Sequence, residues 1–297
     1  MSHGARHRSH FVALAVCAIA ASALGITAQG GTFSYTTLDF PNAALTVAMG
    51  INASGDIAGQ YRDGGGNTHG FVRRGGMFAS VDFPDAALTM ARGIGPSGDV
   101  VGAYRMAGEP NVNLHGYVLT PRGRYSKVDV PGHTSTVPVR VLTDGTIVGC
   151  YHDADQMDTM HGMKFTGSAF TGFDRATSMH TGATPDGRRI VGFYSDMGEM
   201  NRGRAYVLEG TIFTPFDVPG SITTNAQDIS ASGWIVGSYQ DAGKKFHGFV
   251  RQGANYVTID VPEATDTRAF GINQSGVIVG SFVDTGGVTH GFAASQR

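Results

Sequence analysis

Disulfide chemistry is all but excluded by cysteine usage, because the chain has two cysteines and Cys17 lies in a leader that export would remove. Cys150 is then the single thiol left, so stability in an oxidising compartment must come from packing. It sits in the apolar run Thr146-Ile147-Val148-Gly149-Cys150-Tyr151 and reads as a small buried side chain, not a reactive thiol. Helical periodicity of useful length is missing beyond the leader, and no later apolar run approaches the roughly 20 residues of a membrane span. The sequence also contains no Gly-x-Ser-x-Gly, His-Glu-x-x-His, Cys-x-x-Cys or phosphate-loop pattern. Excess positive charge is absent too. Removing Arg6 and Arg8 with the acid-free leader takes the formal net charge from −2 to −4. Nucleic acid and anionic membrane surfaces are therefore poor partners.

What is present begins with export. Arg6 and Arg8 precede an apolar stretch from Phe11 to Ala23, and cleavage after Ala23 or Ala28 suits a secretory signal peptide over residues 1–28. Residues 29–297 then form one domain, because they repeat. Copies of about 43 residues cover 33–76, 77–124, 125–169, 170–212, 213–255 and 256–297. Three marks recur in nearly all of them. The first is Asp-x-Pro, as in Asp39 and Pro41. The second is Gly-x-x-x-Gly-x-Tyr, as in Gly55, Gly59 and Tyr61. The third is His-Gly-aromatic, as in His69-Gly70-Phe71, His115-Gly116-Tyr117, His247-Gly248-Phe249 and His290-Gly291-Phe292.

Short segments rich in Val, Ile, Phe, Tyr and Thr lie between these marks and read as strands. Phrases such as Asn52-Ala53-Ser54-Gly55 and Asn273-Gln274-Ser275-Gly276 suit hairpin turns closed by a left-handed glycine. Four strands per unit bury both faces only if neighbouring units stack radially. The predicted fold is an all-β, six-bladed β-propeller of four-stranded antiparallel blades. Residues 33–40 should complete the last blade as a clasp, which makes each Pro-containing segment a crossing between blades.

The units resemble the HAF-type bacterial extracellular repeats, with His-Gly-Phe standing where that family has His-Ala-Phe. The resemblance rests on Gly50-Ile51-Asn52, Gly93-Ile94, Gly271-Ile272-Asn273, the Ile-Val-Gly strands and the His-Gly-Phe closures. The third and fourth copies depart from it, and the fourth has Arg204-Ala205-Tyr206 in place of the His tripeptide. The resemblance implies export and a repeat architecture, and it assigns no activity.

Candidate site residues come from irregularity. The loops at 106–114, 152–160 and 195–203 are longer than their counterparts and should share one face with the crossings, where binding surfaces are usually built. They supply Met106, Glu109, Met157, Glu199, Met200 and Arg202 as candidate ligand contacts. Asp153, Asp155 and Asp158 are candidate calcium ligands, against the competing reading of a solvated acidic turn. The recurrent histidines are expected to make structural hydrogen bonds, to a recurrent Asp or to residues such as Thr46. Near the axis, Arg140 and Asp228 occupy slots held elsewhere by glycine, and His180 a slot held by alanine. They either point into the channel as a site or pair as buried ions. The expected function is a monomeric binding module for a glycan, peptide or cell-envelope component. A propeller hydrolase or lyase using His180, Arg140, Asp228 and Glu199 is the alternative.

Overall fold

The computed structural model describes residues 29–30, 33–155, 159–167, 169–173, 175, 177–195 and 202–296. The repeats form six antiparallel sheets, the blades of a closed ring. In blade one the strands run outward as Leu45–Ile51, Ile57–Arg62, Thr68–Arg74 and Met77–Val81. Blades two to five span 86–128, 135–173, 178–216 and 223–259, and blade six is 266–296 completed by 33–38. The innermost strands contact one another in a closed circuit around the axis.

Local chemistry explains the meander. The glycines that end the inner hairpins, Gly55, Gly98, Gly145, Gly187, Gly233 and Gly276, all have positive φ, as their turns require. The crossings use a second device. Pro41 is followed by Asn42 at φ 60°, and the Ala43 amide donates to the Phe40 carbonyl at 3.1 Å. Asp85, Gly132, Gly220 and Glu263 take the same left-handed place after their own prolines. Five of the six crossings are pinned by a hydroxyl from the next inner strand. The Phe40 amide donates to Thr46 Oγ1 at 3.0 Å, and Phe83, Val130, Val218 and Val261 do the same to Thr89, Thr136, Thr224 and Thr267.

Every inner strand carries a β-bulge, at Ala48/Gly50 in blade one and at the equivalent place in the others. The bulge turns a carbonyl toward the second strand. A Cβ on Gly59 would lie 2.1 Å from the Val47 oxygen, so this position admits only glycine without a backbone shift.

Residues 33–38 pair with Thr289–Gln296, from Phe33 opposite Gln296 to Leu38 opposite Gly291, and form the expected clasp. An additional strand extends it. Gln29–Gly30 pairs with Ser34 and Phe33, giving this sheet five strands because the chain doubles back on an otherwise unpaired edge. Among the described residues no helix is long and apolar enough to cross a membrane.

Candidate functional site

The axis is crossed by an ion pair, beside a cavity of about 130 Å³ that Arg140 and Asp228 help to line. Arg140 extends from blade three and lies 3.1 Å from the Asp228 carboxylate of blade five, both side chains being buried. Its Nη1 donates to the Arg92 and Val139 carbonyls at 3.1 Å each, and its Nη2 to Phe270 at 2.9 Å and Met49 at 3.4 Å. Asp228 in turn accepts the Ile229 and Ile272 amides at 3.0 and 3.1 Å. Burial pushes the Asp228 carboxyl up, and the Arg140 guanidinium opposes that shift. Of the two readings open in the sequence, the pair is realised. Gly50 and Gly93 make room for it, since a Cβ on either would come within 3.2 Å of Arg140 Nη1.

His180 does not join them. It is buried between blades three and four against Gly162, with Nδ1 2.5 Å from the Tyr206 hydroxyl, and burial lowers it to about 4. The neutral imidazole therefore serves as a packing group with one polar handle.

The face that carries the crossings and long loops is chemically different. Each recurrent histidine lies over the strand-two aromatic ring, as His69 does on Tyr61 at 5.0 Å and His290 on Phe282 at 5.1 Å. In blades one, two, five and six carboxylates flank both ring nitrogens. His69 meets Asp82 at 2.7 Å and Asp63 at 3.5 Å, and His247 meets Asp260 at 2.9 Å and Asp241 at 3.2 Å. His290 meets Asp39 at 2.9 Å and Asp284 at 3.3 Å. The recurrent Asp is thus the histidine's partner, while Thr46 and its equivalents serve the crossing backbone. In blade four Arg204 takes over, holding Asp217 at 2.9 Å.

Several residues singled out in the sequence are engaged in this scheme. Glu109 is the loop acid of blade two, 3.1 Å from His115 and accepting the Met106 amide at 2.8 Å. Asp153 meets both His133 and His161 at 2.9 Å, and Asp155 accepts from Thr159. Arg202 lies 4.0 Å from Asp217. Asp158, Met157, Glu199 and Met200 fall outside the described residues. Among the described residues no group of three His, Cys, Asp or Glu side chains is arranged to hold a metal ion.

One feature is signalled in the sequence by the residue that follows the recurrent Asp. Phe40 and Phe83 stack on Tyr61 and Tyr104 at 3.7 and 3.6 Å, and Arg175 lies over Tyr194 at 4.5 Å. Those three tyrosines are buried. Where the residue is Val130, Val218 or Val261, the corresponding Tyr151, Tyr239 and Phe282 are only half-buried. Tyr239 and Phe282 therefore offer aromatic surface beside paired histidine and carboxylate groups, whereas His133 packs edge-on against Tyr151 at 4.4 Å.

No protein-family model matches the chain, and no curated protein does. Solved structures share its fold. The β-propeller domain of the Trilobed protease from Pyrococcus furiosus aligns at TM-score 0.56 and 10% identity, over 90% of this chain and 92% of its own. TolB from Acinetobacter baumannii gives 0.57 at 12% identity, over 82% of this chain and 65% of its own. Aleuria aurantia lectin in complex with Fucα1-6GlcNAc gives 0.53 at 12% identity, over 86% and 93%. The likeness establishes the six-bladed β-propeller fold.

Proposed function

We propose that this chain is an exported, non-enzymatic binding module that captures carbohydrate on its crossing face. The observation that supports this is the repeated unit of an aromatic plate bordered by a histidine and two carboxylates, left partly open where the covering residue is valine. A pyranose has one face of C–H groups and a rim of hydroxyls. The plate fits the first and the charged acceptors and donors fit the second. Pockets that orient small ligands are built this way, from apolar walls and a few placed polar groups. The axis offers less, since Arg140 and Asp228 are consumed by each other and by main chain. The shared fold with a lectin is consistent with this reading, as is the resemblance to HAF-type repeats, which implies export.

Residues 29–297, purified and applied to an array of immobilised glycans, should bind a subset of them reproducibly. Absence of binding to any glycan on the array at micromolar protein would remove this reading.

A further inference from the structure

The six blades are unequal at the position that matters for such a ligand. In blade one, Phe40, Tyr61, Phe71 and Phe78 form a closed aromatic cluster, with Phe40 3.7 Å from Tyr61, 6.2 Å from Phe71 and 5.6 Å from Phe78. Blade two repeats this with Phe83, Tyr104, Tyr117 and Tyr125. Blade six keeps three equivalents, Phe282, Phe292 and Tyr35, and has Val261 where the fourth ring would be. A cavity of about 430 Å³ lies there, lined by these three rings and by Val261. Its size is within the range of roughly 300–1,000 Å³ usual for small-ligand pockets.

The polar lining is as specific as the apolar one. Asp39, Asp284 and His290 border the cavity, with Thr37 from the clasp and Glu263 from the crossing. His290 bridges the two aspartates and so fixes the orientation of both. Asp39 spends Oδ2 on His290 and keeps 43% of its side chain exposed, so it can accept from a hydroxyl. Three carboxylates against one imidazole disfavour an anionic ligand.

We infer that the cleft between the crossing at 261–264 and the outer strands of blade six is a monosaccharide subsite. Its ligand is an uncharged pyranose that stacks its apolar face on Phe282, in the space a phenylalanine fills in blades one and two. This rests on the carbohydrate-binding reading above and narrows it to one of six blades and one charge class. The clasp strand supplies part of the wall, through Tyr35, Thr37 and Asp39, so ring closure and the subsite form together.

Saturation-transfer NMR on residues 29–297 with uncharged methyl pyranosides, α-methyl-L-fucoside among them, tests this against methyl glucuronide. Transfer is expected to the C–H groups of one pyranoside face and at least about tenfold less to the glucuronide. Val261→Phe should abolish transfer by supplying the missing ring, while Ile212→Phe, at an exposed position on the outer strand of blade four, should leave it unchanged. Asp39→Ala, at an exposed side chain, tests the same cleft should Val261→Phe not fold, and is expected to weaken binding at least about tenfold. Transfer unaffected by both Val261→Phe and Asp39→Ala overturns the subsite while leaving glycan binding by the chain intact. Transfer to no pyranoside, together with a blank array, removes both.

Discussion

Arg140 and Asp228 show how much depends on single side chains where the blades converge. Five of the six blades meet at this pair, through a guanidinium that reaches carbonyls of blades one, two, three and six and a carboxylate of blade five. Removing one partner leaves a buried charge without compensation, which costs about 3–5 kcal/mol. Arg140→Met should therefore lower stability by that amount in urea denaturation, and Arg140→Met with Asp228→Leu should recover much of it. A loss below about 1 kcal/mol in the single variant would show that water reaches Asp228. His290 responds to pH instead. Burial works against the charged form of His290, but the Asp39 and Asp284 carboxylates outweigh it and the imidazole is raised above its ordinary 6.5. A raised group stabilises fully below its unfolded value and loses that contribution as pH climbs through the folded one. The melting temperature should therefore fall as pH rises above about 6.5, and His290→Gln should flatten that slope. Asp63 acts at the opposite end. Bonds from Asn67 push it down to about 2, so its contribution is present above the ordinary 3.8 and is lost as pH falls through about 2.

At the level of strands and turns, the sequence was most informative where one residue type answers one backbone demand. The left-handed glycines marked every inner hairpin, and Asp-x-Pro marked the crossings, so blade phase and the clasp were legible from the sequence. Gly59 sharpens this. Its absent Cβ is what lets the bulge carbonyl of Val47 face the second strand. Gly59→Ala should cost at least about 1–3 kcal/mol, whereas Gly64→Ala, with open space around it, should stay within about 0.5 kcal/mol. Thermal denaturation of the two variants side by side reads the difference. What stayed hidden required two elements to be placed together. The choice of Asp82 over Thr89 as the partner of His69 depends on which side of the third strand the crossing passes. The contrast between Asp-Phe-Pro and Asp-Val-Pro was visible, but its meaning needed the stacking of Phe40 on Tyr61. That Arg140 pairs with Asp228 was one of two readings left open, because each replaces a glycine in its own repeat and nothing local says whether the two side chains meet across the axis.

Closure joins the two ends of the described chain, and this sets the order in which the ring should come apart. Phe33, Tyr35 and Leu38 are buried in the closing sheet, and Phe33 and Tyr35 belong to a cluster with Ile272, Ile278 and Phe292. Burying a large apolar side chain contributes about 1.5–3 kcal/mol, so these three hold the clasp by several kcal/mol. Their partners lie at the far end of the sequence, and the contact forms only after the intervening blades are placed. Such non-local pairings are slow to form and belong to the units that open most readily. Without the clasp, Thr289–Gln296 becomes an exposed edge with a row of unpaired main-chain groups, a template for pairing with another chain. Deleting residues 29–38 should therefore lower the melting temperature and shift the protein toward dimers in sedimentation velocity. A peptide spanning 29–40, added in trans, should restore the sedimentation behaviour of the full chain. Since Tyr35 and Thr37 also line the blade-six cavity, the same peptide should restore pyranoside binding to the truncated protein. A truncated chain that sediments and melts like the full one would mean that blade six closes on itself with three strands, and that the ring does not depend on its first strand.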